Sequence, residues 1–410
     1  MTHCLLRLGT LAMLLQVAAW EAAIAESAPT SGSSSITLQP YASRAFDETG
    51  YNRIAFKADG SCFAAPMGNG RVGVFTVQSE PKPLTNNEIE RYKAVVALLD
   101  DEDFSKRETA TKALRAMGAS IRPLLEESLR KTDLLESRIR LRKLIHDAAL
   151  TIRTVRLNKV LQSLVRSVAY SPNGEHLLVA GYKDSIKLLD ASDFQVRREF
   201  HVDGNVTDAL FLNQGEQLAA GIGDKVQFWS TRTGEPLPFS LIHKGKICCL
   251  DASPDERWLA VSGGSAEVGV WDLKSRQRVH LLKDFGRSVG HVEFSPDGKY
   301  LACACGDGNV SVWDVPGFRR RHTLKGHKGV PYHVTCSRNG QWLASTDDGG
   351  EVVIWDPVEG KRLATNEDRK EYCTPAFSPD SKFLLTLETD KIRLWRITTS
   401  EDGQPGVKPQ

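Results

Sequence analysis

The 410-residue chain has little of several things, and each scarcity excludes something. Its 53 basic residues barely outnumber its 51 acidic ones, so no positive excess marks it for a polyanion, and nucleic acid is not an expected partner. Eight cysteines without any Cys-x-x-Cys exclude a disulfide scaffold and the common zinc spacing. With 33 glycines and 18 prolines it is neither collagen-like nor low in complexity. Beyond the N-terminal segment no run approaches 18 apolar residues, so no membrane-spanning helix is expected there. The nine histidines after residue 25 are scattered without metal spacing. No carboxylate pair, and no Ser with neighbouring His and Asp, repeats a catalytic pattern. No catalytic residue, metal or cofactor is therefore assigned, and the chain is not read as an enzyme. Gly68-Asn69-Gly70-Arg71-Val72-Gly73 fits G-x-G-x-x-G, but it opens a strand; without a helix to aim N–H groups at phosphate it is a turn.

What is present begins with an address. Arg7 precedes an apolar stretch over residues 8–20, and Ala23-Ile24-Ala25 has the small-x-small form of a cleavage site. Thirteen helical residues rise about 20 Å, short of a roughly 30 Å hydrocarbon core. Residues 1–25 are thus expected to be a signal peptide cut after Ala25, giving a secreted or periplasmic chain; an uncleaved anchor is the rival reading. Residues 26–34 are polar and Ser-rich, a flexible linker.

The rest repeats. Trp229, Trp271, Trp313 and Trp355 are spaced 42 residues apart, and Trp395 follows after 40. Three of them stand in Trp-Asp pairs, Trp271-Asp272, Trp313-Asp314 and Trp355-Asp356. About 15 residues before these tryptophans lie turns such as Ser253-Pro254-Asp255-Glu256 and Ser295-Pro296-Asp297-Gly298. Proline presets φ there, and Asp or Asn before Gly tolerates the positive φ such turns need. Weaker letters extend the register upstream to Leu189 and Phe75, making seven units. Within a unit, short β-rich runs alternate apolar and polar residues.

These motifs resemble the WD-repeat β-propeller family, over residues 36–84 and 153–399. The resemblance implies a mainly β fold, a seven-bladed propeller, that binds proteins or peptides rather than performing chemistry. His327, in the Gly326-His327 pair, most simply serves its blade turn, and the family's His–Ser/Asp–Trp network is not expected in most blades. The last unit lacks an outer strand, while residues 35–39 form an orphan strand. That strand is expected to complete the last blade, since closure hides sheet edges. Residues 400–410 are a polar tail.

Residues 85–150 break the pattern. Thr85-Asn86-Asn87-Glu88 is a capping box, Asp103 can cap a second helix, Pro123 suits a first turn, and Asp133 with Glu136 can cap a fourth helix. The four helices resemble HEAT-like repeats, a generic helical insert being the alternative. Because Pro81 and Pro83 make residues 80–84 poor strand material, residues 154–160 are the better fourth strand of the first blade. The propeller then comprises residues 35–84 and 151–399; the resemblance implies a bacterial secreted type and, by the family's topology, helices leaving from the bottom face, whereas a fourth strand at residues 80–84 would put them on the top face.

A partner is expected where innermost strands begin, at Arg166, Asn205, Lys246, Tyr332 and Glu371. Ordinary loop surface is the plain alternative for these, and a site for an enzyme or small-ligand sensor in the central channel is the rival function. Of the seven cysteines after residue 25, all beside predicted strands, most are read as small buried side chains. The odd number leaves room for one thiol with another role. Arg138, Arg140, Arg142 and Lys143 make the last helix locally basic.

Overall fold

The period of about 42 residues is a period of structure. Seven four-stranded antiparallel sheets follow one another, each with its strands in chain order except the first-and-last blade, and together they make a seven-bladed β-propeller. The computed structural model describes residues 36–45, 53–77, 84–117, 121–147, 152–182, 185–366, 372–389 and 391–399. The expected signal peptide, the linker, the polar tail and Glu371 lie outside these residues. Residues 37–398 form one compact unit; of a second, residues 1–36 and 399–410, only Ile36 and Thr399 are described.

The tryptophan positions occupy the third strand of every blade, facing a large apolar residue across the second strand. The pairs are Phe63 with Phe75, Leu177 with Leu189, Leu218 with Trp229, Leu259 with Trp271, Leu301 with Trp313, Leu343 with Trp355 and Leu384 with Trp395. All seven tryptophan-position residues are buried. Phe75 and Leu189 stand in for tryptophan because the position asks for apolar volume; burying such a side chain contributes about 1.5–3 kcal/mol.

The serine turns explain their own letters. Ser295 Oγ donates to Asp297 Oδ1 at 2.7 Å and accepts the Tyr300 N–H at 3.0 Å. Ser253, Ser337 and Ser378 do the same with Asp255, Asn339 and Asp380 and with the N–H five residues on. The Asp of Trp-Asp likewise ties the next turn: Asp272 Oδ1 accepts the Ser275 N–H at 2.7 Å, and Asp356 Oδ1 the Val358 N–H at 2.8 Å. Asp314 accepts from Arg321 Nε at 2.5 Å instead.

The hydrophobic core lies between blades. One cluster joins Val270 of the fourth blade to Val292, Leu301 and Trp313 of the fifth; another joins Phe63 and Phe75 of the first to Leu385 and Leu394 of the seventh. The strand Ile36–Ala45 pairs outside Lys391–Thr399, giving the seventh blade the order of three C-terminal strands and one N-terminal strand. The ring therefore closes twice, by apolar packing and by this strand.

In the first blade the fourth strand is Ile152–Lys159, paired with Arg71–Val77. The helices interrupt that connection. In an antiparallel blade it leaves from the end opposite the start of each inner strand. The helices are α1 (Asn86–Ala97), α2 (Phe104–Ala116), α3 (Arg122–Lys131) and α4 (Leu135–Asp147). Thr85 and Glu88 form the expected capping box on α1, and Asp103 Oδ1 accepts the Ser105 N–H at 2.8 Å ahead of α2. Glu136, expected to help cap α4, instead pairs with Arg140 at 3.0 Å and Arg107 at 3.2 Å. Tyr92, Leu114, Leu125, Leu141 and Leu144 give the segment its own core. Among the described residues no helix is long and apolar enough to cross a membrane.

Candidate functional site

The inner strands of the second to sixth blades share one irregularity. Their pairing jumps at Val165/Ser167, Val206/Asp208, Ile247/Cys249, Val289/His291 and Pro331/His333. The skipped residues are Arg166, Thr207, Cys248, Gly290 and Tyr332, one per blade. A β-bulge bends its strand and re-aims the side chain it frees. Gly290 is needed for a different reason, since a Cβ there would come within 3.1 Å of the Tyr332 carbonyl oxygen.

Two of the five sequence-predicted residues, Arg166 and Tyr332, occupy bulge positions. Lys246 and Asn205 stand one residue before the inner strands of the fourth and third blades, both exposed. Glu371 lies outside the described residues. The Arg166 guanidinium lies 5.1 Å from the centroid of the Tyr182 ring. Tyr332, 41% exposed, has its ring 5.5 Å from that of Tyr372. Tyr372 Oη lies 2.8 Å from His333 Nε2, and the His333 ring is 5.0 Å from His291. The charge of Arg166 is felt at His333, Tyr372 and Cys248, and that of Lys246 at Cys248, so these groups from different blades share one electrostatic neighbourhood.

Deeper in the channel lies a cluster that composition and local spacing do not reveal. Arg53, just ahead of the inner strand Ala55–Phe56 of the first blade, reaches Asp208 of the third at 3.5 Å and Asp251 of the fourth at 3.0 Å. Each acid also stitches its strand to the next blade. Asp208 Oδ2 accepts the Leu250 N–H at 3.0 Å, Asp251 Oδ2 the Phe294 N–H at 2.7 Å, and Glu293 Oε1 the Cys336 N–H at 2.8 Å. Burial pushes the Asp251 carboxyl up to about 6 against the opposing pull of Arg53. Burial also pushes Glu293 up to about 8, with the Asp251 charge adding to the rise. Burial holds His291 far below the usual imidazole range and His333 down at about 3, the charge of Arg53 adding to both. The expectation that Asp, Glu and His do not cluster is thus corrected. The signal was the repeat itself: Asp208, Asp251 and Glu293 follow at 43 and 42 residues, and His291 and His333 are 42 apart.

His327, Asp347 and Glu351 form another acid–imidazole set, all buried at the side chain. His327 Nδ1 lies 3.4 Å from Asp347, and its Nε2 lies 2.6 Å from Ser345 Oγ, which also accepts from Trp355 Nε1 at 2.7 Å. Asp347 accepts the Gly329 and Glu351 N–H groups, and Glu351 accepts from Arg362 at 2.8 Å. With its acceptors thus engaged, the set holds the sixth blade together and ties His327 to its turn. The seven described cysteines are all free thiols; Cys248 alone is exposed, and it stands on the channel rim.

The sequence model of the family described as "WD domain, G-beta repeat" matches residues 156–190, 237–272, 277–314 and 318–356. The chain carries WD40 repeats in a seven-bladed β-propeller. It is 30% identical over 27% of its length to Cilia- and flagella-associated protein 52 of Chlamydomonas reinhardtii. It is 28% identical over 24% to Target of rapamycin complex subunit LST8 of Saccharomyces cerevisiae, and 26% identical over 32% to Transcription initiation factor TFIID subunit 5 of Caenorhabditis elegans. The matched stretches span 19%, 34% and 20% of those three proteins.

Proposed function

We propose that this chain is a non-enzymatic scaffold that captures a protein or peptide at the rim of its channel, in an extracytoplasmic compartment. The observation that carries this is the row of bulged inner-strand positions, which turns Arg166 and Tyr332 toward one opening. Aromatic residues and arginine are the side chains that most often anchor interfaces. Two of the relatives are named as subunits, one of them of a complex, which fits the same role. The HEAT-like reading of the helical insert supports a second recognition surface, where Phe104 is 61% exposed and Leu135 74%. The residues 1–25 support the compartment.

The test is crosslinking in the native host, followed by capture of the identified partner with Tyr332→Ala/Lys246→Ala. Weakened capture with an unchanged melting temperature is expected; unaltered capture excludes this rim. N-terminal sequencing of the mature chain should begin at Glu26, and an intact N-terminus argues against cleavage.

A second reading, an enzyme or small-ligand sensor with its site in the channel, draws support from Asp251 and Glu293, because shifted carboxyls gather at functional sites. Against it, both acids are committed to backbone N–H groups. A stoichiometric small molecule co-purifying with the chain would favour this reading; a stoichiometric protein partner favours the scaffold.

A further inference from the structure

Among the described residues, three buried nitrogen atoms around the channel mouth lack a hydrogen-bond partner: Arg166 Nε, His291 Nδ1 and His333 Nδ1. They come from three different blades, and His291 is only 8% exposed. Buried polar groups in folded proteins are nearly always satisfied, because leaving one unpaired forfeits its hydration. Their chemistry is of one kind. Tyr372 Oη lies 2.8 Å from His333 Nε2; with the hydroxyl as donor in that contact, the proton of a neutral imidazole sits on Nδ1. Burial keeps both imidazoles neutral. Among the described residues, the opening thus offers the Arg166 guanidinium and uncharged ring nitrogens. Arg53 cannot serve there, because Asp208 and Asp251 already hold it.

The geometry points to a site for a peptide carboxylate at the channel mouth, with Arg166 and His333 as donors, His291 beside them, and the Tyr332–Tyr372 pair flanking the neighbouring side chain. This deepens the binding role proposed above and rests on it. A guanidinium beside an uncharged N–H donor matches a monoanion of two oxygens. A dianion such as phosphate would set a second negative charge above Asp208 and Asp251. Exposed Lys246 on the same rim attracts the same sign of charge. The carboxylate can come from an Asp or Glu side chain or from a free C-terminus.

Three probes labelled with an uncharged BODIPY dye separate these sources: Gly-Phe-Asp-Phe-Gly amide, its Asn counterpart, and Gly-Phe-Gly-Phe-Gly with a free C-terminus. Each is titrated with the full mature chain by anisotropy. At least one acid-bearing probe should bind tenfold or more tightly than the Asn amide, and which one identifies the source. Arg166→Gln should abolish that preference without changing the melting temperature. His333→Phe, which keeps a ring and removes the donor, should reduce it several-fold. Acidic probes that bind no better than the Asn amide, weak or absent binding of all three included, overturn the inference. So does a preference that survives Arg166→Gln. Partner capture on the same samples separates the two claims: capture without carboxylate preference removes this site and leaves the scaffold standing, whereas absent capture removes the scaffold.

Discussion

Arg53 Nη2 lies 3.0 Å from Asp251 Oδ1, joining the entry of the first blade to the inner strand of the fourth across 198 residues of chain. Its other amino group reaches Asp208 at 3.5 Å and the Leu250 carbonyl at 3.3 Å. One side chain thus links three blades through the channel, a tie that neighbour-to-neighbour packing does not supply.

Arg53→Met should therefore be costly. It leaves Asp208 and Asp251, whose side chains are 7% and 16% exposed, as neighbouring negative charges without their cation. Removing one partner of a buried ion pair costs about 3–5 kcal/mol. Urea unfolding at pH 7 measures this, and Arg53→Met/Asp251→Asn should recover part of the loss. A full-strength loss in the double variant would place the cost elsewhere than in the unpaired acid.

The channel should also make stability depend on pH with a definite sign. Glu293 keeps its proton to about pH 8 when folded, whereas an unfolded glutamate loses it near pH ~4.3. The folded state binds more protons in that window, so stability falls as pH rises through it. Below about 6.5, where unfolded histidine takes up protons, His291 and His333 act the other way, because burial keeps them neutral in the fold. Asp251, at about 6, adds to the fall only below that value. Between about pH 6.5 and 8 Glu293 dominates this group, with a slope of at most ~1.4 kcal/mol per pH unit. Melting curves should drop over that range and flatten in Glu293→Gln; an equal drop in both proteins would refute the assignment.

In the sixth blade, Trp355→Phe removes the N–H that Ser345 Oγ accepts at 2.7 Å. A loss of about 1–2 kcal/mol is expected, from one hydrogen bond and some lost volume. His327→Ala should cost more, about 3 kcal/mol, since Asp347 and Glu351 stay buried without the imidazole between them. Chemical denaturation ranks the two, and the reverse order would mean that the indole, not the histidine, organises the blade.

Deleting residues 36–45 uncovers the edge of Lys391–Thr399. The ring then keeps only its apolar closure between Phe63, Phe75, Leu385 and Leu394. Lower, less cooperative melting and concentration-dependent association in light scattering should follow, because an open edge templates pairing. A monomeric variant with the parental melting temperature would show that the strand is dispensable.

Much of this was legible in one dimension because a repeat reports on itself. The apolar third-strand position, the serine turns and the capping box at Thr85 depend on contacts a few residues long, so residue type and spacing determine them. Trp229, Trp271, Trp313, Trp355 and Trp395 marked the blades even where Trp-Asp was missing, since the position selects volume. The rim positions were legible only in part. Arg166 and Tyr332 stand at bulges, and a bulge is a slip in pairing between strands that no local pattern announces.

The tertiary structure alone decided what meets in the channel. Arg53 and Asp251 are far apart in the chain, and neither looks unusual among its neighbours. Seven rigid blades closing on themselves bring inner strands face to face across a narrow opening. There, distance to other blades, not distance along the chain, sets charge, burial and hydrogen bonding. The sequence by itself determined the blade, its turns and its count; ring closure determined which acids share an arginine and which inner-strand side chains meet.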